Sequence, residues 1–202
     1  MSGVPILVEG SALSVLVVGG GRVAVRKAAA FVAAGASVCV VALEPSAAMR
    51  ELAGASSLML VERAYVRDDI GDAALVIAAT NDRATNAAVA ADARAKSRLV
   101  NVADAPEEGS FATMATHRSG ALVVGVSAGG VPGAAARVRD AIAHRFDGRY
   151  AGALAGLATL RRALLDRGAS VEWRALSADV IDDRFCETVE SHTLDARVDT
   201  WR

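Results

Sequence analysis

Aromatic side chains make up only 4% of the 202 residues, and the formal net charge is −1. A chain so near neutrality has no generalised basic surface for nucleic acid and no polybasic anchor for a membrane, so an anionic ligand has to be met by local arginines. Cysteine is scarce as well. Cys39 lies in an apolar run and Cys186 in a charged tail, with no CxxC spacing to suggest zinc or a dithiol. Both read as free thiols in a reducing compartment. Residues 1–13 lack a basic region followed by a long apolar stretch, and no later apolar run reaches the roughly 18 residues of a membrane span. The expectation is a cytoplasmic protein with no membrane contact. His117, His144 and His192 have no metal-ligand spacing, so no metal site is expected. There is no internal repeat and no low-complexity tract beyond a general richness in alanine, which argues against a solenoid or a disordered linker.

What is present is apolar substance without bulk. Hydrophobic residues make up 53% of the chain, many of them alanine and valine, enough for a sizeable core. The length suits one nucleotide-binding domain with a smaller appendage. Ser14 to Val18 is a continuous apolar run of the kind expected for a parallel strand buried on both faces. It ends in Gly19-Gly20-Gly21. The next segment, VAVRKAAAFVAAGA, places Val23, Ala30, Phe31 and Ala34 on a helical stripe that Gly35 can terminate. Ser37 to Leu43 is a second buried run, completing a right-handed βαβ unit. The alternation continues through a short helix after Pro45, strands at Leu58 to Val61 and Ala74 to Thr80, a helix from Arg83 to Lys96 and a last strand from Leu99 to Ala103.

Beyond Asp104 the character changes. A polar loop leads to FATMAT and ALVVGVS, strand-like runs joined by Ser119-Gly120, which read as a hairpin outside the main sheet. Pro132 can open a helix, and two further helical stretches follow, from about Arg149 to Asp166 and from Val171 onward. The fold expected is α/β: a Rossmann-like parallel sheet in residues 1–110, a small α+β region in 111–148 and a helical C-terminal region in 149–202.

Gly19, Gly21 and Ala24 match G-x-G-x-x-A between a strand and a helix. A dinucleotide pyrophosphate needs backbone N–H groups at a helix N-terminus with no side chain in the way, and this context supplies both. Gly19, Gly20, Gly21, Arg22, Val23 and Ala24 are therefore candidate cofactor residues, joined by Leu43 at the end of the second strand, by Glu44 next to it and by Thr80 at the end of the fourth. Glu44 either holds the ribose hydroxyls or is a solvated charge before Pro45. NAD is expected rather than NADP, because Arg22 is the only basic side chain near the turn and none follows the second strand before Arg50.

The segments VLVVGGGRVAVRKAAAFVAAGASVCVVA, LVIAATNDRATN, LVNVADAPEEGSF and VGVSAGGVPGAAARVR, in this order between about Pro5 and Phe146, resemble the precorrin-2 dehydrogenase family, which includes the N-terminal module of sirohaem synthase. The resemblance implies NAD-dependent oxidation of precorrin-2 to sirohydrochlorin in sirohaem biosynthesis. It further implies a homodimer, with residues 111–148 serving dimerisation and the substrate cleft, and methylation by a separate protein upstream. The family's catalytic aspartate falls on Asp104, where the residues alone would favour a cap on the turn before Pro106. Position adds independent support, because ligands of open parallel sheets bind beyond the carboxyl ends of the strands. Asn101, Arg118, Ser127, Arg137 and Arg139 are the candidate substrate contacts, the arginines because the tetrapyrrole carries many carboxylates.

The chain departs from the family pattern at Ala112-Thr113-Met114 and His117-Arg118, and it has Ser127-Ala128 where some relatives carry two serines. Three alternatives stay open: an additional sirohydrochlorin ferrochelatase activity, a non-catalytic NAD-sensing regulatory module, and an inactive dimeric scaffold.

Overall fold

The computed structural model describes residues 3–199. The last three residues of the expected helical C-terminal region lie outside that range. The chain divides into two compact units, one ending at Thr113 and the other beginning at Met114. The hairpin and all the helices after it thus belong to one unit, rather than to two regions meeting near residue 148.

The first unit holds five strands: β1 (Ser14–Val18), β2 (Ser37–Ala42), β3 (Met59–Glu62), β4 (Leu75–Ala78) and β5 (Leu99–Val102). They pair in parallel in the order β3-β2-β1-β4-β5. The chain reverses its direction of travel across the sheet between β1 and β4. In such sheets ligands sit at this reversal, outside the carboxyl ends of the strands.

Helices α1 (Arg22–Ala33) and α2 (Ala47–Gly54) cover one face, packing Ala24, Ala28 and Met49 onto Val15, Val17 and Val40. Helix α3 (Arg83–Ala95) covers the other, placing Val89, Ala90 and Ala93 over Leu16, Val76 and Val100. Small alanines at the contacts let the helices lie close to the sheet, so a dense core forms with hardly any aromatics. The stripe on α1 is rotated from its expected position: Ala24 and Ala28 are buried, whereas Ala30 and Ala34 are exposed. Gly35 follows the C-cap with φ +83°, the left-handed conformation expected of a helix stop.

In the second unit β6 (Ala115–Ser119) and β7 (Leu122–Val126) form an antiparallel hairpin, with Ser119 facing Leu122 across the turn. The hairpin begins later than expected, at Ala115 instead of Phe111. The reason is local: the N–H groups of Ser110 and Phe111 donate to the Val100 carbonyl, and Val100 N–H donates to Ser110 Oγ, so this segment stays on the open edge of β5.

Helix α4 (Pro132–Arg145) packs on the hairpin, and α5 (Gly148–Asp166) carries Tyr150, Leu157 and Leu164 into a core of their own. The stretch from Val171 is three helices, not one: α6 (Ser170–Val180), α7 (Phe185–Glu190) and α8 (Leu194–Asp199). The break between the last two falls at His192, which has φ +59°. Among the described residues no helix is long and apolar enough to cross a membrane.

Candidate functional site

Three successive glycines at the end of β1 meet three different constraints. Gly19 has φ +124°, and a Cβ there would come within 2.3 Å of the Ala79 carbonyl oxygen at the end of β4. A Cβ at Gly20 would come within 2.5 Å of Pro45 Cα, because the loop after β2 packs onto the turn and Ser46 N–H donates to the Gly20 carbonyl. Gly21 is different: nothing lies within 4 Å of where its Cβ would be. The first two glycines serve close backbone packing, and the third leaves open space at the end of α1.

Gly21 is the N-cap of α1 and contributes no side-chain cap, and the helical ladder starts with Val25 N–H donating to the Gly21 carbonyl. The N–H groups of Arg22, Val23 and Ala24 therefore precede the ladder, which is the arrangement an anion needs. Ala24 is fully buried against the sheet and fixes the helix close to β1. Leu43 and Glu44, just past β2, are both exposed. Arg50, the first basic residue after β2, is held by Glu62 at 2.8 and 3.1 Å and by the Pro45 carbonyl at 2.8 Å. These features fit a dinucleotide: open space that a side chain at Gly21 would fill, amides ahead of the helical ladder at its base, and an exposed carboxylate beyond the second strand.

Past β4, Thr80 and Asp104 are brought together by a residue that sequence reasoning did not single out. Asn86, in the second turn of α3, is completely buried. Its Oδ1 accepts from the Thr80 N–H at 3.0 Å and from the Thr80 hydroxyl at 2.8 Å, while its Nδ2 donates to the Thr80 carbonyl at 3.1 Å and to Asp104 Oδ1 at 2.9 Å. The nearest signal in the sequence was its place in NDRATN, one of the segments carrying the family resemblance. Ahead of it Asp82 caps α3, and the Thr85 hydroxyl, helped by the N–H groups of Thr85 and Ala84, holds the Asp82 carboxyl below the usual range.

Asp104 stands two residues past the end of β5, and its second oxygen lies 4.0 Å from Arg83 Nε. Arg83 also pairs with Glu108, whose carbonyl accepts from Arg94. The 3₁₀ turn from Pro106 to Glu108 has no side-chain cap. Asp104 is thus bonded to α3 instead of capping the turn ahead of it. Asn101 is buried on β5, its Nδ2 donates to the Phe111 carbonyl at 3.0 Å, and its Oδ1 has no hydrogen-bond partner among the described residues. Lys27 on α1 reaches Thr113 Oγ1 at 3.2 Å, and burial, with Arg26 alongside, pushes its ammonium below the usual lysine range.

Arg118, Ser127, Arg137 and Arg139 all belong to the second unit. Arg118 projects from the exposed side of β6, whose opposite side carries His117, bonded to the Phe146 carbonyl, and Ser119, bonded to the Asp147 carbonyl. Ser127 is exposed just past β7. Arg137 and Arg139 do not act as a pair, because residues two apart on a helix point about 200° apart. Arg137 is exposed, and Arg139 donates to Asp140 at 2.9 Å.

Residues 6–115 match a family model described as "Putative NAD(P)-binding". The chain belongs to this NAD(P)-binding family. It is 43% identical over 145 residues to the siroheme synthase of Pseudomonas fluorescens (strain Pf0-1), a match covering 71% of this chain and 31% of that protein. It is 40% identical over 159 residues to the siroheme synthase of Methylococcus capsulatus, covering 78% of this chain and 33% of the relative. The chain thus spans about a third of the length of these curated relatives. Among solved structures, "SirC, precorrin-2 dehydrogenase" superposes with a TM-score of 0.78 at 25% identity, covering 98% of both chains.

Proposed function

We propose that this NAD(P)-binding chain oxidises precorrin-2 to sirohydrochlorin with NAD, and that Asp104 is the catalytic carboxylate. The observation that carries the reading is the location of Asp104. It stands at the carboxyl end of β5, tied through Asn86 to Thr80, and Thr80 N lies 3.0 Å from the Cβ position of Gly19 in the glycine turn. A carboxylate is thereby held near the cofactor cradle. Likeness to a precorrin-2 dehydrogenase along nearly the whole chain supports the choice of substrate.

The oxidation removes a hydride and a proton from the macrocycle. NAD, bound at the glycine turn, supplies the hydride acceptor. The protein's own part is to hold the pyrophosphate on the amides of Arg22 to Ala24, to leave room at Gly21, and to set Asp104 to take the proton as general base. Arg118 and Arg137 are exposed cations suited to the substrate's carboxylates. Arg139 already donates to Asp140 and has its remaining guanidinium N–H groups to offer. Ser127, exposed past β7, is proposed as a further substrate contact, and Asn101, buried on β5, as a support that holds the Phe111 backbone. The same reading puts the enzyme in the cytoplasm, where the free Cys39 and Cys186 stay reduced.

The test is to mix enzymatically prepared precorrin-2 with the protein and either NAD or NADP, and to follow sirohydrochlorin by absorbance. Formation of product with NAD supports the reading, and no product with either cofactor contradicts it. The cofactor preference rests on Glu44 being available and Arg50 being occupied. Glu44→Ala is expected to weaken NAD binding about tenfold through the loss of one charge-assisted hydrogen bond. Unchanged affinity by calorimetry would make Glu44 a solvated charge.

The second unit is also proposed to form the homodimer. Its two-stranded sheet is marginal alone, and Val131, Val138, Val171 and Ile181 leave apolar surface exposed. Light scattering of the full chain is expected to give twice the monomer mass. A monomer at working concentration would remove dimerisation from the account.

A further inference from the structure

The geometry points to Asn86 as the positioning residue for Asp104: it fixes one oxygen of the carboxylate and leaves the other as the proton acceptor. This deepens the proposed function and rests on it. An asparagine in a helix next to a sheet is costly to bury unless its amide is fully bonded, and this one has four bonds.

The bonding also settles which way the amide faces. Thr80 N–H requires an oxygen opposite it and the Thr80 carbonyl requires an N–H, so the two ends of the amide cannot exchange without losing both bonds. Nδ2 consequently faces Asp104, and what it needs there is an acceptor. Asp104 Oδ1 fills that need at 2.9 Å.

Oδ2 is the remaining oxygen. Its charged neighbour is Arg83 at 4.0 Å, and that guanidinium also pairs with Glu108 on the turn that follows. Arg83 is therefore partly neutralised and too distant for a hydrogen bond, which leaves Oδ2 able to accept a proton. With the side chain 38% exposed, that oxygen is within reach of a ligand. Loss of the Asn86 bond would free the carboxylate to rotate about its side-chain torsions, and a misplacement of about 1 Å at a reacting group can cost about a hundredfold in rate.

The test uses the full chain with precorrin-2 and NAD, comparing Asn86→Ala, the nearly isosteric Asn86→Asp, Asp104→Asn and the double variant Asn86→Ala/Asp104→Asn. Asn86→Asp keeps an acceptor for Thr80 N–H but turns an oxygen towards Asp104. We expect both Asn86 variants to lose about 10- to 100-fold in kcat, with KM for precorrin-2 and Kd for NAD within about twofold of wild type. In the Asp104→Asn background, Asn86→Ala should cost nothing further. Additive losses, or normal kcat in folded Asn86 variants while Asp104→Asn is slow, would overturn the inference and leave the role of Asp104 intact. Near-normal turnover by Asp104→Asn would overturn the catalytic reading and this inference with it.

Should the Asn86 variants fail to fold, NMR of the labelled wild-type chain decides. The Asn86 side-chain amide protons are expected to be protected from exchange and to shift on Asp104→Ala. An Asn86 amide signal indifferent to Asp104→Ala would refute the contact.

Discussion

Asp104→Asn is expected to convert precorrin-2 about a hundredfold to ten-thousandfold more slowly than the wild type, the usual cost of losing a general base. The substitution keeps the size of the side chain and an oxygen able to accept from Asn86 Nδ2, so the local structure should survive. Its ion-pair partner, Arg83, is 4.0 Å away on an exposed site. Such pairs contribute at most about 1 kcal/mol, so the loss of charge should hardly change stability. A residue that merely capped the turn would behave in the opposite way, losing about 1 kcal/mol of stability with turnover retained. The variant should remain folded and bind NAD, yet be slow at every pH where the wild type works. Near-normal turnover from the folded protein would leave substrate and cofactor positioning to carry the reaction.

The second large effect separates two glycines of the same turn, Gly19 and Gly21. Gly21→Val should weaken NAD binding about 10- to 100-fold, through loss of pyrophosphate contacts with the α1 amides, while the protein remains folded. Among the described residues nothing lies within 4 Å of the new Cβ, so the substitution is directed at the ligand's space and not at the packing of the turn. Gly19→Ala should instead damage the fold. At φ +124° the backbone conformation is one that side chains rarely adopt, and the new Cβ meets the Ala79 carbonyl at 2.3 Å. Strain of this kind costs about 1 to 3 kcal/mol, which would lower the melting temperature by several degrees, roughly 5 to 10 °C. Calorimetry for NAD and thermal melts of both variants check the pair. Equal NAD affinity in Gly21→Val and wild type would reject the turn as the pyrophosphate site.

The contrast between the glycines also shows where sequence reading reaches its limit. The motif Gly19 to Ala24 was legible because strand, turn and helix are local, and each has its own periodicity. The position of Asp104, past the last strand of the sheet, was legible from the strand pattern, and its proposed role came from the resemblance. Asn86 was not, because polar positions on an alanine-rich helix read as solvated, and its partners Thr80 and Asp104 come from two different strand ends. Only the parallel register of β4 and β5 brings those ends together.

The late start of the hairpin has a similar origin. FATMAT has strand-like composition, but Ser110 and Phe111 are drawn back to Val100 by a tertiary bond that no local pattern encodes. The arginines after Pro132 were named from the family pattern. The helix itself separates Arg137 from Arg139, and Asp140 occupies the latter.

The most direct test of the account is a single-turnover experiment with the full chain in excess over precorrin-2, with NAD present and both chromophores recorded together. The account predicts one NADH for each sirohydrochlorin formed, appearing at the same rate in the wild type and slowed together in Asp104→Asn. Tight NAD binding with neither NADH nor sirohydrochlorin formed would contradict it, and would identify the glycine turn as that of an NAD-sensing module.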